Sequence, residues 1–229
     1  MSRAVIAVDG PAGAGKTSAS RALAARLGFA HVDTGAMYRA VGVLAAEARI
    51  ALDDDAALAR LVATLRFEFG DGTRLLVTDG ADAARDLTEA IRGAPAGELA
   101  SRVSTRPVVR DRLVALQRTL GAGGGVVMEG RDIGTVVFPE AAVKLFLTAE
   151  ATERARRRAA ELRARGEQVD EVALAREVAE RDRRDQGRAH SPLRPAPDAT
   201  VIDTTRLGLD AVVDTMEQIV RARRVCPPA

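Results

Sequence analysis

The chain has 229 residues, of which 47% are apolar and 29% charged, a composition typical of a folded globular protein. This length suits one well-buried α/β domain with insertions and is short for two full domains. A formal net charge of +2 is too small to indicate a nucleic acid or membrane partner. The single cysteine excludes an internal disulfide and favours a reducing compartment, so we expect a cytoplasmic protein.

The first elements of the chain form a phosphate-binding pattern. An apolar run at 4–8 predicts a buried strand, and the spacing of leucines predicts a helix over 16–27. Between them, Gly-Pro-Ala-Gly-Ala-Gly-Lys-Thr matches G-x-x-x-x-G-K-[ST], the phosphate-binding loop. The alternative, a chance glycine-rich turn, would need neither the strand before it nor the helix after it. We therefore predict that the chain binds a nucleoside triphosphate.

Each part of this loop has a predicted role. Lys16 would reach the β- and γ-phosphates, and the Thr17 hydroxyl would ligate Mg²⁺. The chain contains no asparagine, which disfavours GTPases with an Asn-Lys-x-Asp motif and protein kinases with a catalytic-loop asparagine. The predicted ATP-binding residues are Gly10, Pro11, Ala12, Gly13, Ala14, Gly15, Lys16, Thr17 and Ser18.

A second polar cluster follows the next strand, predicted over 29–32 and continued by a helix over 35–47. Asp33 falls at the carboxyl end of that strand, where ligands sit in open α/β sheets, and could orient a water on Mg²⁺. Thr34 suits a helix N-cap, and Arg39 could clamp an anionic group. The alternative is that Thr34 only caps the helix and Arg39 lies on the surface.

The segment 61–105 departs from the α/β alternation. Apolar and charged residues alternate over 65–69, and Gly70-Asp71-Gly72 turns the chain toward 75–77, a pattern typical of a β-hairpin. We predict an insertion over 61–105 with its own small antiparallel sheet. Phe67 and Phe69 are expected to form a small hydrophobic core within this insertion.

A third polar cluster, Glu129-Gly130-Arg131-Asp132-Ile133-Gly134, follows a helix predicted over 107–120 and a strand predicted over 126–128. Charged residues between glycines at the carboxyl end of a strand indicate a site. The alternative is a structural ion pair between Arg131 and Asp132.

An arginine-dense helix over 152–165 follows a strand over 143–147. One interpretation is a mobile lid whose Arg154, Arg157 and Arg158 close over the transferring phosphate. The other is a solvated helix face paired with nearby glutamates.

The remaining elements are a helix over 169–185, a loop over 182–197 that approaches the site, a strand over 200–202 and a helix over 209–223. Arg181, Asp185 and Arg188 recur at helical spacing on one face, which fits either a site or surface ion pairing. His31 and His190 show no metal-ligand spacing and are assigned no role.

Taken together, these clusters resemble the bacterial cytidylate kinase family over nearly the whole chain. The most specific matches are Gly-Arg-Asp-Ile-Gly-Thr-Val-Val-Phe-Pro at 130–139 and Arg-Asp-x-x-Asp-x-x-Arg at 181–188. Asp-Thr-Gly-Ala-Met-Tyr-Arg at 33–39 and Ile91-Arg92 also match. Departures are mild: Gly93 and Pro95 stand where more polar residues are expected.

The resemblance implies a nucleoside monophosphate kinase. Its fold would be a P-loop three-layer α/β fold with a five-stranded parallel core sheet, an antiparallel β-containing monophosphate-binding insert and a short helical lid. The chain would form a single kinase domain, with the core at 1–60, 106–150 and 167–229. The insert would span about 61–105 and the lid about 151–166.

The resemblance also implies an acceptor site. The acceptor's phosphate would be held by Thr34, Tyr38, Arg39, Arg131 and Arg188. The base would be read by Ser101, Arg110 and Asp132, with Arg181 in the same site and Asp185 on the ribose hydroxyls. A carboxylate accepts from the N4 amino group of cytosine. Uracil presents an acceptor at that position, so Asp132 would favour cytosine.

The sequence therefore predicts Mg²⁺-dependent transfer of the ATP γ-phosphoryl group to CMP or dCMP, giving CDP or dCDP and ADP. We expect a cytoplasmic monomer that binds neither nucleic acid nor membrane. Catalysis would consist of alignment and charge stabilisation by Lys16, Arg131, Arg188 and the lid arginines. Two alternatives stay open: a kinase of another small acceptor (UMP, AMP or a non-nucleotide acid), and an ATPase with Glu129 as the hydrolytic carboxylate.

Overall fold

The computed structural model describes residues 4–70, 73–80, 82–188 and 191–223. Asp71 and Gly72 of the predicted turn, His190 and Cys226 lie outside these ranges. The chain divides into two compact units. We call residues 1–31 with 123–229 the phosphate-loop unit, and residues 32–122 the hairpin unit.

The described residues form eight strands and eight α-helices. The strands are β1 (Val5–Asp9), β2 (Ala30–Asp33), β3 (Leu65–Phe69), β4 (Leu75–Asp79), β5 (Arg85–Asp86), β6 (Val126–Gly130), β7 (Val143–Thr148) and β8 (Thr200–Asp203). The helices are α1 (Lys16–Leu27), α2 (Thr34–Glu47), α3 (Asp55–Thr64), α4 (Ala94–Val103), α5 (Pro107–Gly121), α6 (Ala151–Ala164), α7 (Glu171–Gln186) and α8 (Leu209–Ala222). Among them, no helix is both long and apolar enough to cross a membrane.

The main sheet has five strands in the order β2-β6-β1-β7-β8. Its strands are parallel, and β1 lies between β6 and β7, with Ala7 opposite Met128 on one side and Lys144 on the other. Central parallel strands are covered on both faces and are therefore apolar throughout. Ile6 and Val8 accordingly share a core with Leu23 of α1 and Met216 of α8. The predicted five-stranded parallel sheet is confirmed.

Each predicted core strand and each predicted helix occurs with its ends within two residues of expectation. Two local expectations were wrong. The N-cap of α2 is Asp33 and not Thr34, because the Asp33 carboxylate accepts the Ala36 N–H at 3.1 Å. Residues 182–186 are helical, since α7 continues to Gln186, and Arg188 lies past the end of that helix instead of on its face.

The hairpin unit contains a second, antiparallel sheet in the order β3-β4-β5. Phe67 of β3 is buried, but it shares its core with Met37 of α2, Leu58 of α3 and Leu113 of α5. Met37, Leu58 and Leu113 all lie outside the predicted insertion at 61–105. The hairpin therefore has no separate core, because a sheet of this size needs helices packed against it for stability.

The helices α2 and α4 approach closely at one glycine of the hairpin unit. A Cβ atom at Gly42 would lie 2.7 Å from the Cβ of Leu99 and 3.0 Å from its carbonyl carbon. Because real Cβ atoms do not approach one another so closely, the spacing of these helices depends on the missing side chain.

We predict that Gly42→Ala destabilises the protein. The clash costs about 1–3 kcal/mol as overpacking, whereas the better helix propensity of alanine returns about 1 kcal/mol at most. Urea unfolding should therefore show a lower midpoint. Gly123→Ala, at a position where an added Cβ meets nothing within 4 Å, is the control and should stay near the wild type. Equal midpoints for the two variants would contradict the packing argument.

Candidate nucleotide-binding site

The phosphate loop turns sharply where β1 ends. Gly10 has φ +146°, and a Cβ there would lie 2.0 Å from the carbonyl oxygen of Leu147, so only glycine fits. Gly15, with φ +85°, is the N-cap of α1 and offers no side chain to its first N–H groups. Backbone donors at a helix N-terminus favour a bound anion. The predicted ATP-binding residues 10–18 thus form one loop and the first turn of α1.

Lys16 lies over this loop. Its side chain is buried, and its ammonium group donates a hydrogen bond to the carbonyl oxygen of Pro11 at 2.8 Å. The ammonium group of Lys16 is therefore held against the loop, where its positive charge would lie close to bound phosphates.

Two residues without a predicted role in the kinase interpretation connect to Thr17. The Thr17 hydroxyl donates to one carboxylate oxygen of Glu129 at 3.0 Å, and Nε2 of His31 lies 3.0 Å from the other oxygen. Glu129 is only 2% exposed. It stands on β6 directly opposite Val8 of β1, which places it close to the start of the phosphate loop.

The donor set near Thr17 fits a magnesium ion. Because the Thr17 hydroxyl gives its proton to Glu129, its lone pairs remain to bind a cation, and Mg²⁺ prefers such oxygen ligands. Among the described residues, no cluster of three or more His, Cys, Asp or Glu side chains could hold a metal. A site with few protein ligands is expected for Mg²⁺, because substrate phosphates and water complete its coordination.

Asp9, the last residue of β1, is a buried carboxylate that the sequence does not single out. Its two oxygens accept the backbone N–H groups of Ile133 and Gly134, each at 2.8 Å. Burial raises the pKa of Asp9 to about 6, although these two hydrogen bonds act to lower it. The nearby charge of Asp132 raises this pKa further, and that of Lys16 lowers it.

The fold brings together three of the predicted acceptor residues. Nε of Arg131 donates to Asp185 at 3.0 Å, and Nη2 of Arg188 donates to its other carboxylate oxygen. Burial of Asp185 acts to raise its pKa, but the charges of Arg131, Arg188 and Arg181 outweigh burial, so the pKa lies below its usual value. Asp132, which follows Arg131, is also buried.

The three predicted lid arginines occupy different surroundings. Arg154 is buried and donates to Asp182 of α7, and also to the carbonyl oxygen of Ala12 in the phosphate loop at 3.2 Å. Arg157 donates to the hydroxyl of Thr204 at 3.0 Å. Arg158 pairs with a glutamate one turn along α6. The first turn of α6 therefore lies against the phosphate loop.

The hairpin unit carries the other predicted acceptor residues. Thr34 is buried at the start of α2, and Arg39 of that helix donates to Asp33 at 2.7 Å. Asp33, the predicted ligand of a magnesium-bound water, thus accepts from both Arg39 and the helix backbone. Ser101 of α4 and Arg110 of α5 are buried, with only 3% and 6% of their surfaces exposed. Tyr38 is half-buried on α2.

The family model described as "Cytidylate kinase" matches residues 6–222. This chain belongs to the cytidylate kinase family. It is 50% identical over 228 residues to the cytidylate kinase of Geobacter sulfurreducens, covering 98% of this chain and 95% of that protein. It is 50% identical over 223 residues to the cytidylate kinase of Geobacter sp. strain M21, covering 96% and 93%. For the cytidylate kinase of Syntrophotalea carbinolica, the identity is 48% over 228 residues, with 98% and 95% covered.

The match to the cytidylate kinase family confirms the resemblance inferred from the sequence. All predicted site residues, from Gly10 to Arg188, fall inside the matched range. The individual roles of these residues stay predictions.

We predict that breaking the Arg154–Asp182 pair destabilises this member of the cytidylate kinase family. The side chains are only 6% and 17% exposed, and removing one partner leaves a buried charge, so Asp182→Asn should lower the free energy of unfolding by about 3 kcal/mol. Glu171→Gln is the matched control, because Arg163–Glu171 also joins α6 to α7 but is 54% and 66% exposed. That change should cost less than about 1 kcal/mol. Similar losses in urea unfolding would refute this ranking.

Proposed function

We propose that this chain catalyses the Mg²⁺-dependent transfer of the γ-phosphoryl group of ATP to CMP, and also to dCMP, giving CDP or dCDP and ADP. The observation that carries the proposal is the family match over residues 6–222 together with cytidylate kinases about half identical over nearly the full chain. The enzyme is a CMP kinase that uses ATP. The use of dCMP and the dependence on Mg²⁺ are proposals.

The phosphate loop would bind the donor. Backbone N–H groups of the loop and the start of α1 would hold the phosphates of ATP, with Lys16 moving from the Pro11 carbonyl to the β- and γ-phosphates. When bound, Mg²⁺ would supply positive charge that offsets the charge developing on the phosphates. Thr17 would hold the ion, because Glu129 orients the proton of its hydroxyl away from the open lone pairs.

Arg131 and Arg188 would bind the phosphate of the acceptor. The acceptor is already an anionic nucleophile, so the protein needs to align it and neutralise its charge, and no covalent intermediate is required. Asp185 supports this role, since it holds both guanidinium groups in fixed positions. A carboxylate accepts about four hydrogen bonds. Asp185 could therefore also accept from the ribose hydroxyls, with Arg181 adding positive charge nearby.

In the hairpin unit, Thr34, Tyr38 and Arg39 would contact the acceptor's phosphate, whereas Ser101 and Arg110 would contact its base. The state of Ser101 supports its assignment: its hydroxyl is buried and has no hydrogen-bond partner among the described residues. Buried hydroxyl groups without a partner are rare in native proteins, and this one is available to form a hydrogen bond with a bound base. The buried guanidinium group of Arg110 could donate to N3 or O2 of cytosine.

The helix α6 would serve as the lid. Arg154, Arg157 and Arg158 would stabilise charge on the transferring group and exclude water, since hydrolysis of ATP is the competing reaction. We also propose the single-domain organisation implied by the resemblance, with the insert at about 61–105 and the lid at about 151–166. A monomer in the cytoplasm, with neither nucleic acid nor membrane as partner, completes the proposal.

The first test is ADP formation from Mg-ATP with CMP, dCMP, UMP, AMP or GMP, each compared with a reaction without acceptor. Turnover should favour CMP and dCMP, and Lys16→Ala should lower it on the order of a thousandfold, because a preorganised donor to the transferring group is lost. Arg26→Ala, which removes a positive charge from the last turn of the same helix, should stay near the wild type. Preference for another monophosphate would reassign the acceptor, and equal ADP formation without acceptor would indicate an ATPase.

We predict that Asp132→Ala reduces the preference for cytosine over uracil. A mismatched, buried polar group costs about 1–3 kcal/mol, and about 1.4 kcal/mol corresponds to a factor of ten. The ratio of kcat/KM for CMP to that for UMP should therefore fall about tenfold. Glu140→Ala, which removes an exposed carboxylate from the same loop, should leave the ratio unchanged. An unaltered ratio in Asp132→Ala would remove the base-reading role from this residue.

A further inference from the structure

Asp9 connects two loops that the proposed reaction assigns to different substrates. It is the residue immediately before Gly10 of the phosphate loop, and in the β1–β6 ladder it lies opposite Gly130. Its two carboxylate oxygens accept the N–H groups of Ile133 and Gly134, which directly follow Arg131 and Asp132. One buried side chain therefore joins the start of the donor loop to the segment assigned to the acceptor.

The backbone held by Asp9 has an unusual conformation. Residues Ile133–Val137 form a short π-helix, and Asp132 precedes it with φ −147° and ψ 25°. Turns of this kind are rare and occur frequently at functional sites. A Cβ at Gly134 would lie 3.2 Å from the Lys144 side chain and 3.4 Å from an oxygen of Asp9. This backbone is therefore packed closely between the side chains of Lys144 and Asp9.

We propose that Asp9 is a positioning residue, which fixes the Arg131–Asp132 segment for the acceptor through its two backbone hydrogen bonds. The inference rests on the proposed function, because that function supplies the acceptor. Asp9 touches neither substrate in this scheme. Loss of one bond would loosen the acceptor-binding segment, whereas the phosphate loop is formed by its own glycines and by α1.

A purely stabilising role does not account for this carboxylate. A group that is more stable ionised in the fold has a lowered pKa, as Asp185 has, but the pKa of Asp9 is raised to about 6. The contribution of Asp9 to the free energy of unfolding is therefore fully present below its unfolded pKa of 3.8 and is lost as the pH rises through about 6. At neutral pH, the fold carries an ionised Asp9 at a cost.

The positioning role has the opposite dependence on pH. The charged groups that face Asp9 are Lys16 from α1 and Asp132 from the segment after β6, and the stem of Lys144 from β7 lies nearby. An ionised carboxylate accepts both N–H groups, whereas protonation turns one oxygen into a donor. Binding of the acceptor should therefore strengthen as the pH rises through about 6, while stability falls. A structural role alone would not produce opposite trends.

The test is Asp9→Asn, which keeps the shape but presents an amide NH₂ group to one of the two N–H groups. At pH 7.5 we expect the KM for CMP to rise about tenfold, which corresponds to about 1.4 kcal/mol, with the KM for ATP within about twofold. The phosphate of CMP itself titrates near pH 6, so wild type and variant are compared at each pH. Their KM values for CMP should converge toward pH 5.5, where the wild type also loses the bond.

Asp170→Asn is the matched control. Asp170 also accepts two consecutive backbone N–H groups, from Val172 and Ala173 at 2.9 and 3.1 Å, but it does so at the exposed start of α7. Its KM values should equal those of the wild type at every pH. An unchanged KM for CMP in Asp9→Asn, with CMP turned over by the wild type, would overturn the positioning role alone. A wild type that does not phosphorylate CMP would overturn the proposed function as well.

A second measurement covers the case in which Asp9→Asn fails to fold. Cytidine has no phosphate, so calorimetric titration of the wild type with cytidine reports on the base-binding segment without a titrating ligand phosphate. Its affinity should increase several-fold between pH 5.5 and 7.5. A constant affinity over this range would overturn the role of Asp9.

Discussion

The parallel pairing of β1 with β6 is the constraint on which the rest of the phosphate-loop unit depends. The register sets Val8 opposite Glu129 and Asp9 opposite Gly130, so the loops that leave these strands start side by side at one edge of the sheet. On its other side, β1 borders β7 so closely that Gly10 has no room for a side chain. The donor loop and the Arg131 segment are neighbours because of this arrangement.

The buried carboxylates at this edge of the sheet lose their hydration, and the fold compensates for this loss in two ways. Breaking a buried ion pair by removing one partner costs about 3–5 kcal/mol. Asp185 is compensated by arginine side chains, and its pKa falls. Asp9 receives hydrogen bonds from backbone N–H groups, which do not outweigh the effect of burial, so its pKa rises. The first solution stabilises the carboxylate and holds Arg131 and Arg188, whereas the second fixes a backbone segment at the expense of stability.

Local sequence patterns predicted those elements of the fold whose own residues carry a strand, turn or helix signal. The strand at β1, the glycine-rich loop and the leucine spacing of α1 each carry their own signal. The helix α4 does not, because its buried positions include Ala96, Ala100 and Ser101, small residues that suit close packing against Gly42. The strand β5 has only two residues, both exposed, and offers no pattern to detect.

The roles of Asp9 and His31 in the site could not be predicted from the sequence, for a different reason. Asp9 contacts residues 124 and 125 positions away, and His31 contacts Glu129 across 98 positions. Such partners become visible only when the order of strands in the sheet is known. A histidine before an Asp-Thr-Gly motif, or an aspartate before a phosphate loop, carries no local signal of its partner. The motifs identified the substrates, and the sheet order identified the groups that hold the motifs in position.

The contacts of α6 restrict how the proposed lid can move. Arg154 is tied to α7 through Asp182 and to the phosphate loop through Ala12, and Arg157 is tied to Thr204 after β8. These anchors all lie in the first two turns of the helix. Arg158, in contrast, pairs with Glu161 of the same helix, a contact that moves with it. Because separating Arg154 from Asp182 would leave a buried charge, and because Ala159 and Leu162 also pack against Leu174 of α7, closure is cheaper if α6 and α7 keep their contact.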